Sequence, residues 1–155
     1  MILFIYPSII PRTSGYFGNK IVQQRIEYER LTTGYEFIPT SFKLDSKVVM
    51  AYLKAVEDNN RIYEEAKIVP PMAIAALAMA AMSTGLALPP GAIHVSQEVA
   101  FINVANIGEM LTSYAKVNRK VERGKFHMLT IGISVENQKK ITVITGETSF
   151  ILPLS

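Results

Sequence analysis

A chain of 155 residues, 49% hydrophobic and 19% charged, has the size of one domain and is apolar enough to bury further surface in an oligomer. It contains no cysteine, which excludes disulfides, thiolate metal sites and a cysteine nucleophile and fits a reducing cytoplasm. The net charge of +3 is mild and argues against a nucleic-acid platform, which would gather a basic face interleaved with exposed aromatics.

The basic residues are instead scattered. Lys116, Arg119, Lys120, Arg123 and Lys125 surround one apparent hairpin, and Lys139-Lys140 sit in another turn. They read as solvated turns, with a cationic rim for the phosphates of a nucleotide-like ligand as the alternative.

In chain order, "MILFIYPSIIP" is apolar but lacks a basic flank and is broken by Pro7 and Pro11, so it makes a poor signal peptide. "NKIVQQRIEYERL" follows as a short helix or an extended arm. Residues 1–30 are taken as an arm and residues 31–155 as a single domain. "YEFIPTSFKL" alternates loosely and predicts a strand. "DSKVVMAYLKAVED" predicts a helix capped by Asp45 or Ser46, with Val48 or Val49, Tyr52, Leu53 and Val56 on one face. Asp58-Asn59-Asn60 ends it, because Asp and Asn side chains favour turns, and a short helical piece is expected from Tyr63 to Ala66.

From Ile68 to Gln97 there is no charged side chain, a length that could cross a bilayer at ~20 residues. Pro70-Pro71 and Pro89-Pro90-Gly91 fence it, however, and Gly85 interrupts it. The helical part, Pro71 to about Ser83, has the length of a buried core helix, so no membrane association is expected. Pro71 suits a first helical turn. Ala73, Ala75, Ala76, Ala78, Ala80 and Ala81 surround the axis, and a helix apolar on every side is buried on every side. Met72, Met79 and Met82 read as core filler.

Beyond "LPPGAIH" the period changes to two. "HVSQEVAFINV", "EMLTSYAKVNRKVE", "KFHMLTIGISVEN" and "KKITVITGETSFIL" predict four long strands. His127, Leu129, Ile131, Ile133 and Val135 share a face of the third. Turn residues separate the strands at Asn106-Ile107-Gly108, Glu122-Arg123-Gly124 and Glu136-Asn137-Gln138, which predicts an antiparallel meander of consecutive neighbours. The class is α+β: a long apolar helix wrapped by a curved antiparallel sheet.

That order of elements, with "LTTGYEF", "EDNN", "VPPMAIAAL", "LPPGAIHVSQEVAF", "NIGEMLTSYAKV" and "GETSFILP", resembles the hot-dog fold of MaoC-like dehydratases and (R)-specific enoyl-CoA hydratases. The resemblance runs from about Tyr28 to Pro153 and is nearest the N-terminal-dehydratase, HadA/HadC-like branch. It implies an acyl thioester of coenzyme A or acyl carrier protein as substrate and no further cofactor. It also implies a homodimer, or a heterodimer with a second hot-dog subunit. The family's hydratase motif sets an Asp before an Asn and a Pro, with a His five positions after the Asp. Here Asp58 matches the Asp and Asn60 the Asn, while Arg61 replaces the Pro and Tyr63 the His. The family's Arg-Pro of the next motif is replaced by "NVANIG".

In that family the Asp and His hold a water between them, and the N-terminus of the central helix faces the thioester oxygen. The resemblance therefore places Asp58 as the catalytic position and Asn60, Tyr63, Pro71, Met72 and Ala73 as substrate-binding positions, Met72 and Ala73 as lining for an acyl tunnel. A tyrosine side chain, with an ordinary pKa of ~10, is a poor base at neutral pH. Three readings stay open: a plain turn with a half-buried aromatic, a subunit that borrows its Asp and His, and a self-sufficient hydratase using Asp58 with another proton carrier. His94 reads as a structural hydrogen-bonding residue and His127 as a satisfied core residue. Neither has metal-ligand company at suitable spacing. No Gly-x-Ser-x-Gly motif and no phosphate-binding glycine loop occurs.

Overall fold

A computed structural model describes residues 25–154; "MILFIYPSIIP" and most of the arm expected over 1–30 lie outside the described residues. The described chain opens with a short strand β1 (Ile26–Glu27) and a 3-10 turn (Tyr28–Arg30). Tyr28 is buried, and its hydroxyl donates to Pro153 O at 2.6 Å. The Lys120 ammonium grips the end of this turn, donating to the carbonyls of Tyr28, Glu29 and Leu31 at 2.8, 3.0 and 3.0 Å. Loss of water around it pulls the Lys120 pKa below its ordinary value, with Glu29 opposing.

Strand β2 is Thr40–Lys43, shorter than "YEFIPTSFKL" suggests. Pro39 has no N–H to give a ladder, and upstream of it only an isolated bridge joins Glu36 to Lys116. Helix α1 is Ser46–Ala55, capped as expected by Asp45, whose Oδ1 accepts from Val48 N at 2.9 Å. Val48, Val49 and Leu53 face the core and Tyr52 packs beside them, but Val56 is exposed. Val56 lies past the helix end, where the chain has left the periodic face. The end itself is a Schellman closure: Asp58 N donates to Leu53 O at 3.0 Å and Glu57 N to Lys54 O at 3.3 Å. Glu57 takes the left-handed position, φ 56°, where glycine is usual.

A single turn, α2 (Ile62–Glu65), precedes α3 (Pro71–Gly85). In α3 every residue from Ala73 to Met79 is buried, as are Ala81, Met82 and Gly85. Alanine costs little area and lets the strands approach closely, so the helix is the axis of the core. Its first half packs with Phe42, Leu44, Val48, Leu53 and Val135. Its second half, with Met79 and Met82, packs with Tyr28, Leu129, Ile131 and Phe150.

After β3 (Leu86–Ala87), which pairs in parallel with β1, come β4 (Ile93–Phe101), β5 (Met110–Arg123), β6 (Phe126–Asn137) and β7 (Thr142–Pro153). The large sheet is antiparallel in the order β2-β5-β6-β7-β4. Three of the four long strands form the expected meander; the first does not join it. β4 pairs with β7 at the far edge, not with β5. The reason lies in the connection. Val69 N donates to Ala105 O, Ile107 N to Lys67 O, and Gly108 N to Leu44 O. The segment is thereby tied across the start of α3, and its turn at Gly108 (φ 99°) sends β5 to the other side of the sheet.

Candidate functional site

The start of α3 is built by Pro70 and Pro71. Pro70 holds an extended ψ of 127° and Pro71 enters the helix. Neither has an N–H, and Ala73 N donates to Pro70 O at 2.9 Å. Of the first-turn donors, which lack intrahelical partners, this leaves the Met72 N–H open among the described residues, with the positive end of the helix behind it. Pro71 and Met72 are exposed and Ala73 is buried, so Met72, in the first turn, is not the core filler expected, whereas Met79 and Met82 are. The end of α3 can thus meet a developing negative charge with one aligned donor.

Asp58 and Asn60 lie in the link from α1 to α2, and their side chains serve that link. Asp58 Oδ1 accepts from Asn60 N at 2.9 Å, and Asn60 Oδ1 accepts from Ile62 N at 3.1 Å. These are two successive Asx turns. Tyr63, on α2, is half-buried and packs against the core cluster that includes Val69, Ala73 and Ile74. No hydrogen bond joins Asp58 to Tyr63 among the described residues. A groove of about 330 Å³ lies on Asp58, bounded by Met50, Lys54, Arg61 and Glu64. Sequence reasoning missed Met50 and Lys54; the exposed face of α1, on which they fall four apart, is the signal that could have found them.

The histidines stand elsewhere. His94 Nε2 and Thr148 Oγ1 are 2.7 Å apart, and the imidazole stacks on Phe150 with centroids 5.0 Å apart. His127 meets the Tyr28 ring edge-on at 5.9 Å, and its buried Nδ1 has no hydrogen-bond partner among the described residues. His127 is half-buried and, within the described residues, is not satisfied at Nδ1, unlike the core residue expected. Tyr28 and Phe150 belong to the core around the second half of α3, whereas Tyr63 packs at its first half. Neither ring sits with Asp58. No cluster of three His, Asp or Glu able to hold a metal forms among the described residues. No described helix is long and apolar enough to cross a membrane.

Burial holds the His94 pKa below its ordinary 6.5, the Ser96 backbone hydrogen bond opposing. The neutral ring is the folded form, so the unfolded chain takes up the proton first as pH falls. Stability is expected to decline from about pH 6.5 downward until the folded ring also titrates. His94→Gln should flatten that part of the curve; urea midpoints of both proteins between pH 7.5 and 5 would show it, and equal slopes would refute it.

A larger recess of about 780 Å³ opens on the sheet face away from α3, between Tyr114, Asn118, Gly132, Glu98 and Glu147. Asn118 Nδ2 donates to Glu147 Oε1 at 2.6 Å across Gly132. The recess holds none of the candidate catalytic or substrate-binding residues named from the sequence; of the scattered basic residues, Lys116 lines it.

No protein-family model and no curated protein matches the chain. Solved structures do. The chain is similar to the unliganded R-hydratase PhaJ1 from Pseudomonas aeruginosa (22% identity, 84% of this chain and 88% of that one, TM-score 0.72). It is similar to the MaoC-like dehydratase from Rhodospirillum rubrum (18%, 83% and 97%, TM-score 0.68). It is also similar to the C-terminally truncated HadBC (3R-hydroxyacyl-ACP dehydratase) complex from Mycobacterium tuberculosis (16%, 77% and 96%, TM-score 0.65). The shared architecture is the hot-dog fold, α3 being the helix that the sheet wraps.

Proposed function

We propose that this chain binds acyl thioesters of coenzyme A or acyl carrier protein and serves as one subunit of a (3R)-hydroxyacyl dehydratase or enoyl hydratase. A second hot-dog chain supplies the catalytic Asp and His. The observation that carries this reading is the division of the site. The start of α3 offers the Met72 N–H to an oxyanion, while Asp58 and Tyr63 are not joined by a hydrogen bond among the described residues and serve the turn and the core.

Hydration of an enoyl thioester needs a base for the water, a donor to the α-carbon and stabilisation of the enolate oxygen. The Met72 N–H and the α3 dipole suit the last of these. For the first, Asp58 spends one carboxylate oxygen on its own turn, Tyr63 is half-buried against the core cluster, and both imidazoles lie with the other half of the core. A chain arranged so can bind and polarise a thioester but lacks the pair that moves the protons. Pairing with another hot-dog sheet would bring that pair to it. No cofactor beyond the thioester's own carrier enters the scheme.

Crotonyl-CoA hydration tests this directly, with the chain alone and with a co-expressed hot-dog chain that carries the complete motif. The expected outcome is saturable binding without turnover for the chain alone. With the partner, turnover should appear and survive Asp58→Asn with kcat within about twofold. Turnover by the chain alone that Asp58→Asn abolishes would overturn the reading in favour of a self-sufficient hydratase. Binding with no turnover in either preparation would leave a non-catalytic thioester module.

A further inference from the structure

The stretch between α1 and α3 is attached to the molecule in an unusual way. None of residues 54–67 is buried. Among the described residues, every hydrogen bond made by 59–66 closes within 58–67. The two Asx turns supply two of these. Glu64 N and Glu65 N donate to Arg61 O, Ala66 N to Ile62 O, and Lys67 N to Glu64 O. The bonds that reach the rest of the protein begin at the two ends, at Asp58 N on Leu53 O and at Lys67 O, which accepts from Ile107 N at 2.8 Å. Between those ends the apolar tie to the core is Tyr63.

Both ends carry the same rare backbone state. Glu57 has φ 56° and Lys67 φ 54°, left-handed positions that cost a side-chain-bearing residue energy and suit glycine. Each terminates a helix, Glu57 after α1 and Lys67 after α2. A segment that satisfies most of its own polar groups gives up, on leaving its seat, only the end bond from Asp58 N to Leu53 O. Its strained ends relax when it does so. Against opening stands the burial of one phenol ring.

We propose that residues 58–66 form a flap that swings as one body about Glu57 and Lys67, latched by Tyr63 over the start of α3. Resting on the thioester reading above, the flap controls access to the apolar surface that Tyr63 covers. Unlatching bares an apolar seat beside Ala73 and Ile74, next to where the acyl chain would enter. It also carries Asp58 and Asn60 away with their turn intact.

Native-state hydrogen exchange on the full chain tests the flap without any ligand. The amides of Asn60, Ile62, Glu64, Glu65 and Ala66 should share one protection factor, lower than those of α1 and α3. Tyr63→Ala should accelerate them together by about tenfold or more, leaving the difference from wild type in α1 and α3 below about threefold; Tyr63→Phe should hold them within about threefold of wild type. Exchange of the five amides at the rate of α1, equal acceleration of all three elements, or complete lack of protection would each overturn the flap.

Crotonyl-CoA then tests access, with binding measured separately by calorimetry. Bound thioester should change the exchange of the flap amides and not of α1; binding that leaves the flap untouched overturns the gate. A chain that shows grouped exchange yet binds no thioester overturns the functional reading and leaves the flap standing.

Discussion

Gly146→Ala is expected to destabilise the fold by about 3 kcal/mol, more than any other single methyl group added to the sheet. Gly146 faces Val99 across the β4–β7 pair and Ile133 across the β6–β7 pair. A Cβ at 146 would collide with the Glu98 carbonyl oxygen and lie 3.3 Å from Val99 Cα. Both are backbone atoms, so β4 as a whole must move to accept the methyl group. Glycine in a strand often marks such a close approach of another backbone.

Gly132 supplies the control. A Cβ there would meet the Asn118 side chain, which can rotate away. Gly132→Ala should therefore cost under about 1 kcal/mol, mainly the bond from Asn118 to Glu147. Urea unfolding of the two variants would separate the cases. A Gly146→Ala protein within about 0.5 kcal/mol of wild type would mean that β4 does not pack against β7 as described.

The second large effect concerns assembly. β4 is an edge strand of nine residues, and its ends are apolar and open: Ile93 is 57%, Val95 42% and Phe101 48% exposed. The next residues outside the strand, Ile102 and Val104, are 53% and 67% exposed. A long apolar edge left uncovered is a site of unwanted pairing. The opposite edge, β2, has four residues.

An antiparallel pair of β4 strands centred on Gln97 would set Ile93 against Phe101 of the partner and Val95 against Val99, with Glu98 opposite Ser96 and no like charges opposed. A second hot-dog sheet, whether a copy of this chain or another chain, fits the same edge. Phe101→Glu is expected to weaken that pairing by about a hundredfold or more in Kd, which is about 2.7 kcal/mol. Sedimentation velocity at micromolar concentration would show the variant as monomer. A variant that assembles as wild type does would remove β4 from the interface.

Much of the fold is legible in the sequence because its signals are local. Pro70-Pro71 sets the start of α3, the ring of alanines requires burial on all sides, Asp45 caps α1, and the alternation from Leu129 to Val135 orients β6. The place of β4 was not legible. Asn106-Ile107-Gly108 looks like a hairpin turn, and what overrules it are backbone bonds from Ala105, Ile107 and Gly108 to residues distant in sequence. The candidate site divides in the same way. That Asp58 and Asn60 form a turn follows from their side chains. That the turn consumes an Asp58 oxygen depends on where Asn60 N points, and left-handed φ at Glu57 and Lys67 has no signature in residues that rarely adopt it.

The sheet order also has a kinetic meaning. β5, β6 and β7 are joined by short turns and can zip in sequence, each hairpin needing little loop closure. β4 is synthesised before all three, yet its partner strand is the last of them. Its pairing spans Ile93 with Ile151 through Phe101 with Ile144, so it can close only after β7 has been made. During synthesis and refolding, β4 therefore waits as an unpaired apolar ribbon, and β7 stands as a temporary edge until it arrives. Any slow, concentration-sensitive stage of folding is expected at this one docking event.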